Sequence, residues 1–151
     1  MVVAILLAFS LVAVSFFFHY RCLLWLGANA SKYSRQSQAG VLVIVLALFC
    51  AHVLEIALYA LGYAGLVEYL GLGSFNGASI EDPMAYLYYS GVMFTSLGLG
   101  DVYPEGHIRF VTALEALNGL LLITWSASFT FLAMGRLWPE VCCDDRRVVD
   151  R

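Results

Sequence analysis

The stretch TSLGLGDVYP, Thr95 to Pro104, decides how this chain is read. Its core, LGLG, also occurs at Leu70 to Gly73, so the letters alone do not separate a chemical site from a glycine-rich loop. What flanks the two copies differs. Leu70–Gly73 runs straight out of a long apolar segment into Ser74, Asn76 and Gly77, which are turn-forming residues, and it reads as part of an outer loop. Leu97–Gly100 is preceded by Asp82-Pro83 and eleven mostly apolar residues, MAYLYYSGVMF, from Met84 to Phe94. Asp before Pro is a helix start, since the carboxylate caps free amide groups and proline suits the first helical position.

Composition sets the surroundings. Of 151 residues, 62% are hydrophobic and 13% charged, about half the charged fraction of an ordinary soluble domain. Residues 1–20 carry no Asp, Glu, Lys or Arg, residues 39–67 only Glu55, and residues 116–135 none. A bilayer span needs about 20 mostly apolar residues. Three spans follow, and the expected class is an all-α membrane protein. The first apolar run has the alternative reading of a secretory signal, with Ala28-Asn29-Ala30 as the cleavage site; it lacks a preceding basic residue and is longer than a signal core.

The basic residues Arg21, Lys32 and Arg35 follow the first span, and Arg136, Arg146, Arg147 and Arg151 follow the third, with Arg109 alone between the second and third. The positive-inside bias therefore puts residues 28–39 and the C-terminus in the cytoplasm and the N-terminus outside. The sequon Asn29-Ala30-Ser31 falls on the cytoplasmic side and is read as chance. The four cysteines, Cys22, Cys50, Cys142 and Cys143, have no disulfide or zinc spacing.

A helix over residues 83–95 would be about 20 Å long, too short for a hydrocarbon core of about 30 Å. It is expected to enter the membrane and return. Irregular backbone at that depth survives only inside protein or along water, so Ser96–Gly100 is expected to line an aqueous path.

Here the chain resembles the pore-loop potassium channels, with an outer helix, pore helix, filter and inner helix. Their filter commonly reads T-V-G-Y-G-D, and SLGLGD aligns with it, placing Ser96, Leu97 and Leu99 at the Thr, Val and Tyr positions and Gly98, Gly100 and Asp101 at their own. A leucine at that tyrosine position also looks like a filter variant of two-pore-domain potassium channels. The resemblance covers residues 40–136: outer helix 40–67, outer loop 68–82, pore helix 83–95, filter 96–100 and inner helix 109–136. An extra membrane helix, residues 1–27, precedes it, and 137–151 form a cytoplasmic tail.

The resemblance implies a homotetramer conducting K+ passively through the backbone carbonyls of Ser96, Leu97, Gly98 and Leu99, with the Ser96 hydroxyl closing the inner site. Rings of carbonyls replace the hydration shell of the ion, and alternating glycines permit the backbone that aims them. Thr95 and Asp101 bound the filter, Tyr88 and Tyr89 brace it, and Gly119 corresponds to a flexible glycine, a gating hinge, of the inner helix. Leu120, Ile123, Ala127 and Phe131 follow from it at helical spacing and line either a cavity or ordinary helix packing. The departures remove a methyl at Ser96, a hydroxyl at Leu99 and, relative to some members, a carboxylate at Val92, which leaves a weakly selective cation channel as the second reading.

Within the spans, His52, Glu55 and Glu115 are ionisable. Intramembrane carboxylates usually face protein or water. Glu55, paired with His52 or Asn118, is either a pH bias on the gate or a bond between helices, and the latter is the plainer reading. An intramembrane enzyme built on His52-x-x-Glu55, or a non-conducting assembly subunit, is the reading from another class; the sequence shows no third metal ligand or nucleophile beside that pair. No cofactor is implied apart from the permeant ion. The expected partners are the bilayer and three further copies, with no nucleic acid, in the plasma (inner) membrane. The first span has no arginine repeat like that of a voltage sensor, and the 13 residues after Trp138 are too few for a ligand-binding domain.

Overall fold

The computed structural model describes residues 2–33, 39–78 and 82–137. Three long helices dominate: α1 (Val2–Tyr33), α2 (Ala39–Ala64), which continues as a π-helical turn Gly65–Tyr69, and α4 (Ile108–Leu137). Each holds a segment long and apolar enough to cross a membrane: Val2–Asn29, Gly40–Tyr69 and Ile108–Leu137. Large apolar side chains such as Phe17, Trp25, Phe49, Leu61 and Phe131 are exposed on them. Helices apolar on the outside as well as the inside belong in lipid, so this is a multi-pass membrane protein.

Between α2 and α4 lie β1 (Gly73–Gly77), the short helix α3 (Pro83–Phe94) and β2 (Val102–Gly106). β1 and β2 pair antiparallel, from Gly73 opposite Gly106 to Gly77 opposite Val102. The chain therefore leaves this sheet after Gly77 and comes back to it at Val102. α3, with 12 residues, spans about 18 Å.

Three expectations need amending. The fold is not wholly α, because the two-stranded sheet occupies much of the segment read as outer loop and filter exit. Its partners are 29 residues apart at the Phe75–Pro104 pair, a non-local pairing that periodicity along the chain does not reveal. The helix of the second span runs to Tyr69, beyond residue 67, and the first runs to Tyr33, taking in part of the segment read as linker; residues 34–38 lie outside the described residues, as does the tail from 138. The first LGLG copy is also more than a turn. Gly71, at φ +57, ends the π-helical turn, the Leu72 carbonyl accepts from His107 N at 3.0 Å, and Gly73 opens β1. Leu70–Gly73 is the joint between the second span and the sheet.

The core lies where α2, α3 and α4 meet, with Tyr59, Tyr63, Tyr89, Phe94, Ile108, Val111 and Leu122 buried together. Tyr89 packs edge-on to Phe75 of β1 (4.6 Å between centroids) and to Tyr63 (5.2 Å), so the sheet is pinned to the helices by aromatic contacts. A second cluster, Leu23, Leu26, Ile44, Leu48 and Ala133, joins α1 to α2 and α4 at the other end. Between the clusters runs a buried polar seam that includes Ser15, His19, Glu55, Asn118 and Ser126.

Candidate functional site

The segment after α3 is unlike any other among the described residues. α3 begins as the sequence dictates: Asp82 is the N-cap, its Oδ1 accepting from Ala85 N at 2.8 Å, and Pro83 is the first helical residue. At the other end Thr95 caps the helix and its hydroxyl donates back to the Gly91 carbonyl at 2.8 Å. The next amides also point back. Ser96 N donates to Met93 O (2.9 Å), and Leu97 N and Gly98 N both donate to Val92 O (3.0 and 3.3 Å). The last carbonyls of α3, orphans in an isolated helix, are satisfied in this way. The carbonyls of Ser96, Leu97, Gly98, Leu99 and Gly100 accept no hydrogen bond among the described residues.

Backbone conformation alternates along the same run. Ser96, Gly98 and Gly100 lie at φ +58, +56 and +79, whereas Leu97 and Leu99 are outside the positive region. Nothing lies within 4 Å of where a Cβ on Gly98 or Gly100 would sit, so these glycines answer to the backbone and not to crowding. Leu97 and Leu99 are 63% and 58% exposed in the single chain. The Ser96 hydroxyl donates to the Ala116 carbonyl of α4 at a long 3.4 Å.

The two tyrosines diverge. Tyr88 donates to Asp101 Oδ2 at 2.6 Å, across the exit of the loop. That bond holds the Asp101 carboxyl below the ordinary carboxylate range and pushes the Tyr88 hydroxyl up. Tyr89 points into the core, its hydroxyl 2.9 Å from Thr112 Oγ1 of α4.

Gly119 sits against the end of α3. A Cβ there would stand 2.0 Å from the Phe94 carbonyl oxygen and 2.8 Å from its carbon, so the glycine lets α4 and α3 touch backbone to backbone. α4 runs through it without a break. Leu120, Ile123, Ala127 and Phe131, the residues that follow it at helical spacing, are all exposed in the single chain.

The intramembrane ionisable groups fall into two clusters. Glu115 is buried, accepting from Ser90 of α3 at 2.6 Å through Oε1 and from the Tyr63 hydroxyl of α2 through Oε2. One carboxyl thus joins the three elements that carry the α3 loop. Glu115→Ala leaves a cavity and removes both contacts, an expected loss of about 2–4 kcal/mol. Glu115→Gln keeps an acceptor oxygen and should lose under about 1.5 kcal/mol. Thermal melting of the two variants in detergent checks this, and equal melting temperatures would refute it.

The second cluster extends beyond the pair the sequence offered. Glu55 Oε2 lies 2.8 Å from His52 Nδ1, and Oε1 lies 2.9 Å from His19 Nδ1 of α1. Ser126 Oγ of α4 is 3.0 Å from His52 Nε2 and 3.2 Å from His19 Nε2. The four side chains close a ring that ties α1 to α2 and α4. Asn118 is not part of it: its Nδ2 donates to Ser15 Oγ (3.1 Å) and Tyr59 OH (3.0 Å), and its buried Oδ1 has no partner among the described residues. Sequence reasoning missed His19, Ser126, Ser90 and Tyr63. The available signal was that His19 is the only His in the first span.

Three membrane-long helices, with a short capped helix held between the second and third and followed by a loop with free carbonyls, fit a membrane protein of channel type. Residues 39–135 match a family model described as "Ion channel", which is more than half of the chain, and the protein belongs to that family. Membership places it with transport proteins and not with a catalytic family. No curated protein and no solved structure matches it significantly.

Proposed function

We propose that this protein is a homotetrameric, potassium-selective channel in which α3 is a re-entrant pore helix and Ser96–Gly100 is the ion filter. One observation carries the reading: the five consecutive carbonyls of Ser96–Gly100 are unpartnered within the chain, on a backbone whose φ alternates in sign while the neighbouring amides are tied back to α3. A dehydrated cation needs a cage of oxygens, and four copies of such a run supply one. A single copy cannot close the ring, and exposed carbonyls at membrane depth are tolerated only along water or inside protein, which supports cyclic fourfold assembly. Exposed Leu97 and Leu99 would then find their cover between copies.

The pairing of β1 with β2 supports a re-entrant segment, because it brings the chain back to where it left. The C-terminal end of α3 carries partial negative charge and favours a cation beneath the filter. Native mass spectrometry of the purified protein tests the assembly: a tetramer is expected, and a stable monomer that passes no ions would overturn the proposal.

Asp101 would place four carboxylates at the outer mouth, concentrating cations there in a salt-sensitive way. Since its carboxyl is held low by Tyr88, it stays ionised until the pH falls below the ordinary Asp value of about 4. Conductance at low salt should therefore persist into acid. In Tyr88→Phe the carboxyl regains its usual affinity for protons, and the acid decline should move to higher pH. Conductance against pH in planar bilayers reads this directly; superimposable curves would remove Asp101 from ion attraction.

A further inference from the structure

We propose that His19, His52 and Glu55 form a binding site for a first-row transition-metal dication of the zinc type, fastening the N-terminal helix α1 to the channel module. The proposal is independent of ion conduction. One ligand atom from each of the three lies within 4.8 Å of the other two, and the set is drawn from two helices, so it is a product of tertiary packing. Two imidazoles and a carboxylate form a familiar zinc donor set with a fourth position open. Imidazole also favours this class of metal over magnesium or calcium, which prefer all-oxygen cages.

The geometry is close to what an ion requires. The ring centroids of His19 and His52 are 5.3 Å apart with planes 22° from parallel. Two imidazoles on one tetrahedral ion, at Zn–N of about 2.0–2.1 Å, hold their ring centres roughly 5 Å apart. Both Nδ1 atoms face the same carboxylate, at 2.9 and 2.8 Å. Ligand atoms around such an ion stand about 3.3 Å apart, so the two nitrogen–oxygen separations would open by about half an ångström on binding.

Ser126 supplies the support that ligating histidines need. Its Oγ faces both Nε2 atoms, at 3.0 and 3.2 Å, and a hydroxyl oxygen has two lone pairs. Accepting from both Nε2–H groups leaves both Nδ1 lone pairs facing Glu55, which is the tautomer that metal binding demands. The site also adjoins the C-terminal end of α3, since the His52 ring is 5.9 Å from that of Phe94.

The test uses the full chain in detergent, stripped with a chelator and titrated with Zn2+ by calorimetry. One ion per chain is expected, together with a raised melting temperature. His19→Ala and Glu55→Gln should each weaken binding at least tenfold, whereas Cys142→Ser with Cys143→Ser should leave it unchanged. X-ray absorption of the zinc-loaded wild type, which needs no variant to fold, should show nitrogen and oxygen donors with imidazole scattering. Absence of stoichiometric binding, sulfur scattering, or full affinity in a folded His19→Ala protein would each overturn the site and leave the ring as hydrogen bonds alone.

Discussion

Gly98→Ala is expected to abolish the proposed potassium flux while leaving a folded, inserted protein. Gly98 sits at φ +56, where an L residue is disfavoured by about 1–2 kcal/mol, and the proposed tetramer would carry that cost four times, about 4–8 kcal/mol. Nothing lies within 4 Å of the added methyl, so packing gives no reason for unfolding. The backbone can relieve the strain by rotating to negative φ, and the carbonyl geometry of the loop changes with it. At 1.4 kcal/mol per decade, the population of the original conformation falls by more than roughly a hundredfold. Efflux of K+ from loaded liposomes should fall in proportion while circular dichroism stays that of the wild type. Unaltered efflux would mean that the alternating backbone is not part of the ion path.

Gly119→Ala should damage stability and conduction together. The new methyl would stand 2.0 Å from a backbone oxygen, that of Phe94, and backbone cannot rotate aside as a side chain can. α4 must therefore move off the end of α3, at an expected cost of about 1–3 kcal/mol or more, and the carbonyl run begins two residues after Phe94. This separates packing from the hinge that the family resemblance implies. A hinge glycine replaced by alanine would alter opening and spare the melting temperature; a packing glycine would lower both. Gly135 on the same helix has nothing within 4 Å of its Cβ position, so Gly135→Ala is the control and should not lower the melting temperature.

What the sequence disclosed was local. Asp82-Pro83 announced the start of α3 because capping chemistry acts over three residues, and the cap is seen in the bond from Ala85 N. The three spans were legible because lipid demands about 20 apolar residues in a row, a signal carried by composition alone. The strands were not legible: GSFNG and VYPEG look like turns, and only their meeting across α3 makes a sheet.

The same distinction holds at the sites. Glycine alternation in Ser96–Gly100 showed the special backbone, whereas the reason for Gly119 lies in a contact with Phe94, 25 positions earlier. His52 and Glu55 were visible as neighbours at i and i+3 on one helix. His19 and Ser126 were not, because spacing within one helix says nothing about which face of another helix it will meet. Glu115 was visible as a carboxylate within a span, but its partners Ser90 and Tyr63 depend on how α2 and α3 cross α4.

In the proposed channel the free carbonyls of Ser96–Gly100 select potassium. Reversal potentials of the purified protein in a planar bilayer, with KCl on one side and an equal concentration of NaCl on the other, test it most directly. A potential displaced far toward the potassium equilibrium value is expected. A current that reverses near zero would show equal passage of the two ions and rule out potassium selectivity.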